Sequence, residues 1–202
     1  NNWFYIRRKY SSIHRKAKEL SVMNSAIKYR LYPTFEQKIM FAKTFGCCRK
    51  VYNLMLAEKI ESYKTIGKFA TVTPAKYKKD FPYLKEVDSL ALANVQLNLQ
   101  SAFRNHFDRN RRKKTGFPKF KSAKHSRKSY TTNNQNGTVA IIDSRYIRLP
   151  KTGKVRAVIH RVPGTDWKLR SATVSCSSDD RYYVSVLFEY GNSASAYVAD
   201  EN

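Results

Sequence analysis

From Arg109 to Tyr130 the chain places ten Lys or Arg and not one acid, and this run separates two stretches of different periodicity. Before it, apolar residues recur at helical spacing; beyond Gly116 they alternate with polar ones. Such charge density repels itself unless a polyanion neutralises it, so the segment belongs on a surface between a helical block and a β block. A solvated basic linker carrying a few core aromatics is the plainer account of the same residues.

The full chain of 202 residues carries +24, of which residues 1–22 supply +5, 23–108 supply +7, 109–130 supply +10 and 143–202 only +2. Phosphate backbones neutralise clustered cations with release of counterions. Phe117, Phe120 and Tyr130 interleave with the cations, and flat rings beside positive charge suit unstacked bases. These features point to nucleic acid. A hydrophobic content of 42% is enough to build a core, which excludes disorder as a description of the whole. No apolar run approaches the roughly 18 residues of a membrane span, and Asn-Asn-Trp-Phe-Tyr-Ile-Arg-Arg-Lys9 lacks a signal-peptide layout, so the chain reads as cytosolic. Cys47, Cys48 and Cys176 form neither a disulfide framework nor a Cys-x-x-Cys metal pair, and His14, His106, His125 and His160 are scattered.

Ile27-Lys-Tyr-Arg-Leu-Tyr32 alternates and stops at Pro33, which predicts a short strand running into a turn. Thr34 opens a helix, with Gln37 completing a capping box. An apolar stripe of Ile39, Met40 and Phe41 leads to Gly46, and a second helical pattern runs through Val51, Leu54, Met55, Glu58 and Ser62 to Gly67. Two helices about a Gly turn fit either a helix-turn-helix or a plain helical hairpin. A short third helix is predicted at Pro74. The longest helix is expected after Asp88 as N-cap and to end near Asn110, with Leu92, Val95, Leu99 and Phe103 at helical spacing. Cations in its last turn suit the negative end of the helix dipole, which accounts for part of the cluster without a ligand.

Val139-Ala-Ile-Ile142 and Tyr146-Ile-Arg-Leu149 flank Asp143-Ser-Arg145 as a hairpin, and Lys151-Thr-Gly153 turns into the alternating Val155, Ala157 and Ile159. Two longer strands should follow, one burying Ala172, Val174 and Cys176, the next Tyr182, Val184, Val186 and Phe188. The plan is α+β, a small antiparallel β-barrel or sheet interrupted by a helical insertion. Met23 has the place of a natural start, leaving residues 1–22 as a basic extension, helical or non-native. Residues 191–202 are small and polar and read as a linker.

Five stretches carry a family resemblance. Tyr29-Arg-Leu-Tyr-Pro-Thr34 with Glu36 and Gln37, Phe45-Gly-Cys-Cys-Arg-Lys-Val-Tyr-Asn53, Gly116-Phe-Pro-Lys-Phe-Lys121, Ile147-Arg-Leu-Pro-Lys151 and Tyr182-Tyr-Val-Ser-Val186 resemble, in order and spacing, the N-terminal half of TnpB proteins. These are the OrfB-type proteins of bacterial insertion sequences, relatives of type V CRISPR effectors. The resemblance covers about residues 24–190 and implies a wedge β-barrel (residues 23–34 and 116–190) interrupted by a helical recognition lobe (35–115), with 191–202 leading to a RuvC-like nuclease domain and a zinc ribbon.

On that plan the catalytic carboxylates, the divalent metal and the zinc lie past Asn202. No catalytic residue, metal or other cofactor is expected in this chain, which alone should not cut; Glu189, Asp200 and Glu201 are expected to be structural or solvated. The partners implied are a guide RNA and double-stranded DNA bearing a short flanking motif, with no membrane, in the bacterial cytoplasm or on the nucleoid. Arg49, Arg111, Arg112, Lys113, Lys114, Lys119 and Lys121 are the expected phosphate ligands. Ser89, Leu90, Ala93, Asn94, Tyr130, Asn133, Asn134, Gln135 and Asn136 are the candidates for motif reading, amides being suited to adenine edges. A turn is the competing account of Asn133 to Asn136. Three other readings stand beside this one: a piece of an intact RNA-guided endonuclease, a DNA-binding regulator without nuclease, and a ribosomal-type RNA-binding protein, which would explain the charge but not the five ordered stretches.

Overall fold

The apolar stripe of the first helical segment does not break phase at Gly46. Phe41, Phe45, Cys48, Tyr52 and Met55 follow one another at spacings of four and three, all on one face and all buried. In the computed structural model, which describes residues 22–110, 112–113 and 115–191, they lie on a single helix, α1 (Phe35–Ile66). The expected two-helix unit about Gly46 is therefore corrected: the glycine is an interior helical residue. At 32 residues and about 1.5 Å per residue, α1 is roughly 48 Å long and is the longest helix, a place the sequence reading gave to the next one.

The predicted capping box is present. The Thr34 hydroxyl accepts from Gln37 N at 3.4 Å while Thr34 N donates to Gln37 Oε1 at 3.0 Å. Gln37 also donates through Nε2 to Lys154 O at 2.9 Å, so the residue that starts α1 also ties it to the sheet. Gly67 closes the helix in the left-handed region, φ 68°, its N–H reaching Tyr63 O. Two short 3-10 helices, Pro74–Lys78 and Pro82–Lys85, lead to α2 (Ser89–Phe107).

Seven strands follow one antiparallel sheet: β1 (Val22–Tyr32), β2 (Lys128–Asn133), β3 (Ala140–Ile142), β4 (Tyr146–Leu149), β5 (Gly153–Val158), β6 (Lys168–Cys176) and β7 (Tyr182–Gly191), in the order β2-β6-β7-β1-β5-β4-β3. The edge strands β2 and β3 are neighbours in sequence. Laid flat, seven strands would span about 29 Å at about 4.8 Å spacing. The connection holds only residues 134–139 and spends part of them on a tight turn at Asn136 and Gly137, both at positive φ. The sheet must therefore curl. Asn134 fastens the two edges: its N donates to Arg170 O at 2.7 Å, its Nδ2 to Leu169 O at 3.2 Å, and its Oδ1 accepts from Val139 N at 3.0 Å. β2 and β3 are not paired with each other, so the expected barrel is a curled open sheet.

Inside the curl sit Ile27, Tyr29, Leu31, Ile147, Val155, Val174, Val184, Val186 and Phe188, in one buried cluster that continues into both helices. Phe41 bridges the two parts, 5.6 Å from the Tyr182 ring and 6.4 Å from that of Tyr130. β2 is a strand the sequence reading did not predict. Its buried positions are only Tyr130 and Thr132, and a threonine at a core position masks the alternation.

Thr132 is fully buried because its hydroxyl donates to Asp88 Oδ2. Asp88 in turn accepts from Leu90 N at 3.1 Å and Ala91 N at 3.2 Å as the N-cap of α2. This carboxylate joins the start of α2 to the edge strand of the sheet. Replacing Asp88 with Ala strips a cap and leaves a buried hydroxyl unpaired, and should lower stability by about 2–4 kcal/mol in urea unfolding. Gly46→Ala should act in the opposite sense. A Cβ there meets nothing within 4 Å, so the continuous helix should gain about 1 kcal/mol, whereas a turn at Gly46 would make the same change destabilising.

Candidate nucleic-acid interface

The cationic run begins where α2 ends and returns along the helix pair as an irregular strap. Thr115 holds its near end, donating to Asn105 O at 2.7 Å, while His106 Nδ1 lies 2.8 Å from Thr115 O. Phe117 meets Phe103 and His106 edge-on at 5.4 Å, and Pro118 is buried. Asn53 of α1 clasps the far end: its Nδ2 donates to Lys121 O and its Oδ1 accepts from Lys121 N, both at 2.8 Å. The amide side chain thus pairs with the Lys121 backbone as a strand would, and fixes where that lysine emerges.

Lys121 enters a cleft between α1, α2 and β2. The cleft is lined by Arg49 and Cys48 from α1, Ala91, Asn94 and Asn98 from α2, and Lys121, Arg127, Lys128, Ser129 and Thr131 from the strap and β2. Four cations and two amides converge, and no acid lines the space. The Lys121 ammonium lies 4.1 Å from the Tyr52 ring centroid, and desolvation there draws its pKa below the ordinary lysine value, with Cys48 acting weakly the other way. Burial first, and then the neighbouring Cys47, push the Cys48 thiol up to about 12.

The structure gathers only part of the sequence-predicted set here: Arg49, Asn94, Lys121 and Tyr130. Tyr130 is 6% exposed and packs against Phe45 at 5.8 Å, so its ring serves the core and not a base. The Asn134 amide is likewise spent on the sheet edges. Gln135 and Asn136 are exposed in the β2–β3 turn, Asn133 is half-buried at the end of β2, Ala93 is exposed and Leu90 half-buried. The Ser89 hydroxyl accepts from Lys78 Nζ at 2.9 Å. Arg112, Lys113 and Lys119 are exposed on the strap, and Arg111 and Lys114 fall outside the described residues. Asn98, Arg127 and Lys128 line the cleft without being among the sequence-predicted residues. Asn98 lies four residues after Asn94 and so on the same helix face, a signal the sequence did hold. Among the described residues no three His, Cys, Asp or Glu side chains gather as they would around a metal ion, and no helix is long and apolar enough to cross a membrane.

Residues 23–68 match the helix-turn-helix domain of OrfB proteins of the IS605 type. A protein of Streptomyces pristinaespiralis named as an RNA-guided DNA endonuclease is 32% identical over 183 residues, which is 81% of this chain and 41% of the relative. The virulence protein VsdF of Salmonella dublin is 35% identical over 115 residues, 49% of this chain and 93% of the relative. The chain belongs to the TnpB/OrfB family. It spans about two fifths of the length of the Streptomyces relative.

In this TnpB/OrfB chain the matched segment is β1 followed by one uninterrupted helix. It holds no pair of helices across a turn, so the family's domain name does not describe its shape. The helix of this segment instead floors the cleft that α2 and β2 wall.

The floor is also chemically quiet. With its pKa near 12 against about 8.5 for a free thiol, Cys48 in the native chain at pH 8 should hold about a thousandfold less thiolate than an open cysteine. Alkylation by iodoacetamide should accordingly be slow until denaturant is added, and prompt modification of Cys48 in the native chain would contradict the buried floor.

Proposed function

We propose that this chain is the nucleic-acid-gripping part of a TnpB-like, transposon-encoded protein, holding guide RNA and a short motif of flanking duplex DNA, with the cutting carboxylates, divalent metal and zinc in a part of the protein beyond it. What supports this most is the acid-free cleft in which Arg49, Lys121, Arg127 and Lys128 surround Asn94 and Asn98. Cations position a phosphate backbone and amides read base edges. The two kinds of group on one concave surface give a means of docking and a means of choosing.

Asn94 commits one N–H to Leu90 O at 2.9 Å and keeps its acceptor oxygen and second N–H, the pair an adenine edge requires. Asn98 is exposed one turn further on. Arg49 is half-buried, and Lys121, exposed but with its ammonium against the Tyr52 ring, stands beside it where both can pair with phosphate. Arg112, Lys113 and Lys119 on the strap extend the positive surface away from the cleft and would contact backbone only.

The two roles separate experimentally. Changing Arg49, Lys121 and Arg127 to Gln together should weaken binding of a mixed-sequence DNA duplex and flatten the plot of log affinity against log salt by about two to three units. Changing Asn94 and Asn98 to Ala should leave that slope alone and relax the preference recovered when the chain selects from a randomised duplex library. An unchanged salt slope in the triple variant would remove the cleft from the binding surface.

A further inference from the structure

Charge counted along the chain hides what strands do with it. Residues 143–202 sum to +2, yet alternation sends Tyr146 and Arg148 of β4, and Lys154 and Arg156 of β5, to the outer face of the sheet. β1 adds Lys28, Arg30 and Tyr32, and β7 adds Tyr183. The acids of this stretch lie off the strand rows. Asp143, Asp179 and Asp180 are in turns, Asp179 paired with Arg181 at 2.6 Å and within electrostatic reach of Arg30 at the end of the β1–β7 rows. Glu189, the only acid on any strand among the described residues, is held by Arg170 through Nε at 2.7 Å and through its terminal nitrogen.

Register aligns these side chains in rows across the strands. Tyr183 of β7 stands opposite Arg30 of β1. One step along, Tyr32 of β1 stands opposite Arg156 of β5, which stands opposite Tyr146 of β4. Arg148 and Lys154 form the next pair. The cations lie against the rings: Lys28 Nζ is 4.3 Å from the Tyr183 centroid, and Arg30 Cζ is 5.0 Å from Tyr183 and 5.4 Å from Tyr32. Tyr32 is 52% and Tyr146 38% exposed. Cross-strand stabilisation explains one Tyr–Arg pair; it does not explain five outward cations with no acid opposite any of them.

We propose that this outer face binds an unpaired RNA segment, its bases laid on the Tyr32, Arg156, Tyr146 row and on Tyr183 and Arg30, its phosphates held by Lys28, Arg148 and Lys154. A duplex hides its base faces and could use only the charges; rings and guanidinium planes in register serve bases that are splayed open. The choice of RNA rests on the groove that continues from Lys28 and Tyr183, whose wall carries the hydroxyls of Ser126, Ser175 and Ser178, suited to 2′-hydroxyl groups; the Ser177 hydroxyl is taken up within its own turn by Asp179 and Arg181. The inference deepens the reading of the chain as an RNA holder and rests on it, but uses a surface that adjoins the cleft and shares with it only Ser126, Arg127 and Lys128.

The test is binding of the full chain to labelled oligouridylate, oligothymidylate and a mixed DNA duplex. The double variant Tyr32→Ala, Tyr146→Ala should lose about tenfold or more in oligouridylate affinity, with duplex binding retained, and Phe at both positions should restore it. The double variant Arg49→Gln, Lys121→Gln should do the reverse. On the parent chain, 5-iodouridine photocrosslinks should map to Tyr32, Tyr146 or Tyr183. Parental oligouridylate binding by a folded Ala variant, or crosslinks confined to the cleft, would overturn the assignment while leaving the cleft reading intact. Equal affinity for oligothymidylate would overturn the choice of RNA. Displacement by polyglutamate as effective as by oligouridylate would overturn stacking in favour of an acidic protein partner. Failure of the parent to bind any of the three nucleic acids would sink the proposed function itself.

Discussion

One buried carboxylate sets the relation between the helices and the sheet. Asp88 accepts two amides at the start of α2 and the hydroxyl of Thr132 on β2. An acidic side chain only 9% exposed is costly unless its oxygens are hydrogen-bonded. Because its partners come from a helix terminus and a strand, filling them fixes α2 against the sheet edge. The wall of the cleft follows from that contact. With α2 placed, Asn94 and Asn98 face Arg127 and Lys128, and Asn53 completes the site by setting the exit of Lys121 from the strap.

The second organising fact is that cations are distributed by face as well as by segment. The sequence concentrates ten of them in a single stretch, and the strap is anchored at Thr115, Phe117 and Lys121 so that the charges of its described cations stay at the surface. The strands achieve the same result with a nearly neutral stretch of sequence, sending Arg and Lys outward at every second position and leaving Asp to the turns. The Arg127 and Lys128 loop borders both the cleft and the groove of the outer face. The two basic surfaces are thus neighbours built by different means.

Much of the fold was legible where one physical signal dominated. The Thr34 capping box, the Asp88 cap and the alternation of Ala172 to Cys176 and Tyr182 to Phe188 read directly. The expected break at Gly46 treats a glycine as punctuation, although the spacing from Phe41 through Cys48 to Met55 crosses it without a shift of phase. β2 was hidden because Thr132 occupies a core position, and a threonine is tolerated there only through a partner distant in sequence. For the same reason Tyr130 and Asn134 read as binding residues. Their chemistry suits bases, and nothing local reveals that one fills the core beside Phe45 and the other pins the sheet edges.

The sequence by itself determined the elements, the caps, the polyanion-seeking surplus of charge and the family, because each of these depends on residue type and on neighbours within a few positions. The tertiary structure alone decided that the sheet curls open-edged around its core, that four cations and two amides from two helices, the strap and β2 share an acid-free cleft, and that tyrosine and arginine alternate across strands on the outer face. Those properties depend on register and on contacts between residues scores of positions apart, and no local pattern carries that information.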